Sequence, residues 1–142
     1  MESYGIIIDT NVLLTALCSS AGASYRLLSL IDAKKYEVSV SVPLLIEYED
    51  VLKRNKKKLN LSTGEINDIL DYICLIANKH KIFYLWRPFL RDPKDDLVLE
   101  LAVEASSSFI VTYNKKDFKD VDQFGIRLVT PKEFLQIIGE IP

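Results

Sequence analysis

The chain has 142 residues, about the size of one domain that buries roughly 68–70% of its unfolded surface. With 49% hydrophobic and 27% charged residues it has the composition of an ordinary globule, which argues against a disordered or fibrous chain. The net charge of −2 excludes an overall basic field, so any nucleic-acid contact has to come from local clusters such as the five cations within residues 53–58.

Apolar runs such as residues 5–8 and 42–46 are far shorter than the ~20 residues that span a bilayer. The first residues lack the basic segment and cleavage site of a secretory signal. Cys18 and Cys74 are isolated, without CxxC spacing, and are expected to be free, buried thiols in a reducing compartment. These features together predict an intracellular, cytoplasmic protein without a membrane partner.

In chain order, residues 4–9 form a continuous apolar run ending in a carboxylate, the pattern of a strand buried on both faces. Residues 11–17 and 25–31 carry helical apolar spacing and are separated by the Ser19-Ser20-Ala21-Gly22 break. Residues 38–42 read as a strand. Pro43 then stands where a helix begins, with Leu44, Tyr48, Val51 and Leu52 recurring at helical spacing. Ser62-Thr63-Gly64-Glu65 matches a capping box for a helix running to about residue 78. A strand is predicted at 81–85, a helix from Asp92-Pro93 to about residue 105, strands at 108–112 and 127–129, and a last helix capped by Thr130-Pro131-Lys132-Glu133. No linker or repeat interrupts this alternation, so residues 1–142 are expected to form a single domain. Its fold class is α/β, with three α/β/α layers around a mostly parallel sheet. Ligands of such sheets bind beyond the carboxyl ends of the strands.

Acids fall at those ends. Asp9 closes the first strand, where it can also cap the next helix. Glu47 lies at the edge of an apolar helical stripe, with solvation as its plain alternative role. Helical phase puts Asp95 on the flank of its helix's buried face and turns Asp96, Glu100 and Glu104 outward; Asp95 at N3 also suits the helix dipole. The strand at 108–112 delivers Asn114 and Asp117 to the same sheet edge, where both are common turn residues. Each acid has a bland explanation, yet four separate strand–helix junctions supply one. Two carboxylates 4 Å apart repel by about 4 kcal/mol at an effective dielectric of 20, a cost most easily met by a cation between them. An all-oxygen set suits Mg²⁺ or Mn²⁺. His80, the only histidine, is expected to be solvated, which leaves zinc and histidine chemistry without support.

The order Ile6-Ile7-Ile8-Asp9-Thr10-Asn11, Leu44-Leu45-Ile46-Glu47-Tyr48, Arg91-Asp92-Pro93-Lys94-Asp95-Asp96 and Ile110-Val111-Thr112-Tyr113-Asn114 with Asp117 resembles PIN domains over nearly the whole chain. It is most similar to the branch that contains toxin components of toxin–antitoxin systems. The resemblance implies a metal-dependent endoribonuclease hydrolysing RNA phosphodiester bonds. Asp9, Glu47 and Asp95 match the three metal-binding acids, with Asn11 and Thr112 in supporting positions. Many members have Asp where this chain has Asn114. A second-metal site is thereby weakened, and Asp117 stands three residues on as a substitute. The implied partners are an RNA substrate, with an antitoxin protein and a homodimer admitted by the same likeness. Lys56, Lys57 and Lys58 are candidate RNA contacts, a solvated helix end being the alternative. Tyr84, Trp86 and Phe89 are candidate base-stacking aromatics, with core or interface roles as the commoner use. The rival function is a catalytically weak PIN scaffold for RNA or protein binding, which the Asn114 departure favours and the three retained acids oppose. A receiver-like phosphoacceptor domain fits less well, because the first strand ends in one acid where that fold needs a pair.

Overall fold

The computed structural model describes residues 4–82 and 89–142. Its sheet has five strands, all parallel, in the order β3-β2-β1-β4-β5: β1 Tyr4–Ile8, β2 Tyr36–Val40, β3 Asn78–Lys79, β4 Phe109–Val111 and β5 Arg127–Val129. Seven α-helices among the described residues connect and flank the strands: α1 Thr10–Cys18, α2 Ala23–Ser29, α3 Val42–Arg54, α4 Lys56–Leu59, α5 Thr63–Ile76, α6 Pro93–Glu104 and α7 Pro131–Ile137. The layers are α/β/α. No helix is long and apolar enough to cross a membrane.

β1 is central because it can be. Ile6, Ile7 and Ile8 are buried on alternate faces, so both faces need helical cover. The chain leaves β1 to build β2 on one side and later β4 on the other, which makes the carboxyl end of β1 the point where strand order reverses. Crevices for ligands open at such points. Asp9 is the residue immediately after β1.

Local signals explain most helix starts. Ser62 and Glu65 form a reciprocal capping box at α5, and Thr130 and Glu133 form another at α7. Asp92 caps α6 by accepting from the Lys94 amide at 3.0 Å, with Pro93 in the first turn where its missing N–H costs nothing.

Several expectations need correcting. β2 ends at Val40; Ser41 caps α3, and Val42 opens that helix where a strand residue was predicted. α5 ends at Ile76, and the strand beyond it is Asn78–Lys79, earlier than the predicted 81–85. Residues 81 and 82 are not strand, and the remainder of that prediction, with Tyr84 and Trp86, lies outside the described residues. Cys18 is exposed and Cys74 half-buried: both are free, but neither is a core thiol. His80 is half-buried, its Nε2 3.3 Å from the Ser39 hydroxyl.

The clearest correction concerns α6. Asp96 and Glu100 are 2% and 4% exposed, where an outward face was expected. α6 packs against α3 and against β1, β2 and β4 together, so its buried surface wraps well beyond the apolar stripe. Asp96 is accommodated by turning back on the chain, its Oδ1 accepting from the Leu90 amide at 2.9 Å.

Candidate active site

Asp9 is held from several directions. Its own backbone N–H reaches the Val111 carbonyl at 2.9 Å, tying the end of β1 to β4. Oδ1 accepts from the Thr10 amide at 2.8 Å, so Asp9 also caps α1. Oδ2 accepts from the Thr112 hydroxyl at 2.7 Å and from the Asn11 amide nitrogen at 3.3 Å. Thr112 is fully buried and in turn accepts from the Asn114 amide at 3.0 Å. Asn11 therefore bridges the two strand ends, since its Oδ1 also takes the Tyr113 amide at 3.4 Å. Below them the buried Tyr48 phenol donates to the Ile8 carbonyl, fastening α3 to the residue before Asp9.

The electrostatics are those of crowded acids. Burial raises the Asp9 pKa; the Thr112 and Thr10 hydrogen bonds oppose the rise, while Asp117 and Glu47 add to it. Asp95 is pushed up to about 7, first by burial and then by Asp9, with Asp92, Asp117 and Asp96 contributing. Asp9, Asp95 and Asp117 thus share one field although they come from β1, α6 and the turn after β4. Glu47, on α3, also acts on Asp9, and its Oε1 lies 3.5 Å from the Lys94 ammonium.

Beside Asp95 opens a cleft of about 880 Å³. Acids on its wall include Asp92, Asp95, Asp117 and Asp120, and Arg91, Lys116 and Lys119 supply cations among them. Phe89 also lines it, 40% exposed and edge-on to Phe124 at 5.3 Å between ring centroids. The cleft cations escaped the sequence reading. Arg91 sits in one PIN-like motif and Lys116 next to Asp117, but nothing in their spacing announces that two distant segments line one cleft. Lys119 and Asp120 follow Phe118, whose burial turns the chain back toward the site.

The remaining candidates are exposed. Lys56, Lys57 and Lys58 are exposed on α4, after the end of α3. α3 begins at the site end of the sheet and runs away from it, so its last residue, Arg54, lies roughly 10 Å farther along than Glu47 at 1.5 Å per residue, and α4 follows beyond it. Asn114 is exposed at the start of the 3₁₀ turn Lys115–Asp117.

The donor chemistry fits a hard divalent ion: Asp9, Glu47 and Asp95 offer carboxylate oxygens only. Among the described residues no three such side chains form a ready-made cage. Mg²⁺ does not need one, because it keeps several waters and is commonly bound by one or two carboxylates plus substrate phosphate. The Asp9–Asp95 pair meets that demand.

The same architecture occurs in the crystal structure of VapBC2 from Rickettsia felis bound to a DNA fragment from their promoter. That structure matches with a TM-score of 0.62 and 19% identity over 89% of this chain and 98% of the other, a likeness of fold. No curated protein matches the chain. Residues 5–116, most of the chain, match the family model of the PIN domain, and the protein therefore belongs to the PIN-domain family of nucleases.

Proposed function

We propose that the protein is a Mg²⁺- or Mn²⁺-dependent endoribonuclease, the toxin of a toxin–antitoxin pair. The observation that carries the catalytic part is the convergence of Asp9 and Asp95, where burial first and then repulsion from Asp9 push Asp95 up to about 7. A fold retains such a pair most readily for a cation. Asp9 and Asp95 would hold the ion, with Glu47 directly or through water. The bound ion supplies an activated water and neutralises charge at the phosphorus.

The chain's own groups do the remaining work. Thr112 and Asn11 hold the Asp9 carboxylate in one orientation. Asp117 adds negative charge to the field of Asp9 and Asp95, and Asn114 offers only an amide where many family members have Asp. Arg91, Lys116 and Lys119 suit the phosphates of a strand lying in the cleft. The stretch at Lys56, Lys57 and Lys58 would extend that track away from the centre. RNA as substrate follows from family resemblance. The antitoxin partner is supported by the fold shared with the Rickettsia felis complex, and a homodimer in the cytoplasm completes the reading.

Asn114 favours a second reading, a PIN scaffold that binds RNA or protein with weak catalysis. One experiment separates the two: incubation of metal-stripped protein with single-stranded RNA, with Mg²⁺ or Mn²⁺ added or withheld, beside Asp95→Asn. The nuclease reading expects metal-dependent cleavage that the variant nearly abolishes. Full cleavage in chelator, or none under any metal, would reject it.

A further inference from the structure

Lys94 is misplaced as a helix residue. It occupies the first turn of α6, where the dipole favours anions, and Asp92, Asp95 and Asp96 stand beside it. Its ammonium instead reaches across to α3 and meets Glu47 Oε1 at 3.5 Å. The Glu47 side chain is 16% exposed and the lysine's 57%. A pair this open contributes little to folding, so stability does not account for it.

The charges around the centre are distributed unevenly. Among the described residues no ion pair engages Asp9, Asp95 or Asp117, whereas Glu47 already has a cation. Asp9 feels both Asp117 and Glu47, and Asp95 feels Asp9, Asp92 and Asp117. By charge the centre thus divides into a lobe of Asp9, Asp95 and Asp117 without an ion pair and a lobe of Glu47 whose charge Lys94 offsets.

We propose that Lys94 is a resident monovalent cation of the centre, which holds Glu47 and limits the site to one divalent ion in the lobe of Asp9, Asp95 and Asp117. Glu47 then reaches that ion through water, drawn toward the ammonium by its Oε1. The inference rests on the metal-centre reading above and adds a determinant of stoichiometry and affinity on this chain. A lysine is suited to the role: its charge is compact, its stem flexible, and it leaves the other lobe open.

The test is Mn²⁺ titration of metal-stripped protein, with free ion read by electron paramagnetic resonance, so that no cleavage is needed. Wild type is expected to bind one Mn²⁺ per chain. Lys94→Met, which keeps the stem and removes the charge, should bind a second ion or tighten the first by roughly tenfold. Lys94→Arg should behave as wild type. Loss of a cation from the first turn of α6 does not threaten the helix, and thermal melts without metal check this. Identical titrations of wild type and Lys94→Met, two ions bound by wild type, or Lys94→Arg behaving as Lys94→Met would each overturn the proposal. Asp95→Asn isolates the underlying reading: undiminished binding by that variant, or no binding by wild type, would overturn the metal centre itself.

Discussion

Asp95 and Asp96 are adjacent carboxylates with opposite employment, and their variants should separate cleanly. In metal-free protein Asp95 holds its proton up to about 7 in the fold, whereas the unfolded chain releases it near 3.8. Between those values the folded state binds more protons, so stability falls as pH rises through the window and levels off above about 7. Asp95→Asn should flatten that part of the profile in urea melts across pH 4–8; an unchanged profile would show that Asp95 is not crowded. Asp96 contributes differently. Asp96→Ala strands the buried Leu90 amide and should cost about 1–3 kcal/mol with or without metal, measured by the same melts. A loss below about 0.5 kcal/mol, the scale of an ordinary surface change, would deny the bond its role. Sequence exposed both acids but not this division. Helical phase ranks faces by apolar residues, and a helix covered on several flanks buries acids that phase assigns to water. The Asp9–Thr112 bond spans 103 residues and lies equally beyond local patterning.

At the scale of elements, what was legible in the sequence was what local chemistry decides. The capping boxes at α5 and α7 and the cap at Asp92 depend on residues within one turn, and they stand as read. β3 was misplaced because a two-residue strand is specified by its pairing with Ser39 and Val40, not by its own pattern. The same distinction governs the lysine run. It follows the Glu47 helix, as read, but Asn55 ends α3 and Lys56, Lys57 and Lys58 ride a separate turn, α4. Two groups of cations can therefore be told apart by experiment. Replacing Lys56, Lys57 and Lys58 with Gln should flatten the salt dependence of single-strand binding by about 2 log units, at about 0.7 per neutralised phosphate. Apparent KM should rise while turnover at saturating RNA holds, because these residues are distant from the reacting bond. Binding of a labelled oligonucleotide over a salt series, with Ca²⁺ suppressing cleavage, measures it. An unchanged slope would confine the strand to the cleft walled by Lys116 and Lys119.

For the whole molecule, the centre exists only as a product of folding. Its acids arrive from the ends of β1 and β4 and from α3 and α6, segments spread over more than a hundred residues, and the unfolded chain has no comparable arrangement. A divalent ion that binds the folded state alone stabilises it by about 2.7 kcal/mol at a concentration one hundred times its Kd. Without the ion the same acids oppose folding, since burial and mutual charge raise the pKa of both Asp9 and Asp95. Asp9→Asn tests both halves of this linkage. Asparagine can still cap α1 from position 9, so the variant keeps that local bond; it loses the charge and the bond accepted from Asn11, while the Thr112 hydroxyl can turn to accept from the new NH₂. In chelator its thermal midpoint should equal or exceed that of wild type. With saturating Mg²⁺ or Mn²⁺ the order should reverse, because wild type gains the full binding energy and the variant only part of it. Asp9→Ala controls for the cap: it should lose about 1 kcal/mol in chelator as well. Melts of the three proteins with and without metal give every term. Equal metal-induced shifts in wild type and Asp9→Asn would remove Asp9 from the ion's ligands, and with it the reason these four segments of chain converge on one edge of the sheet.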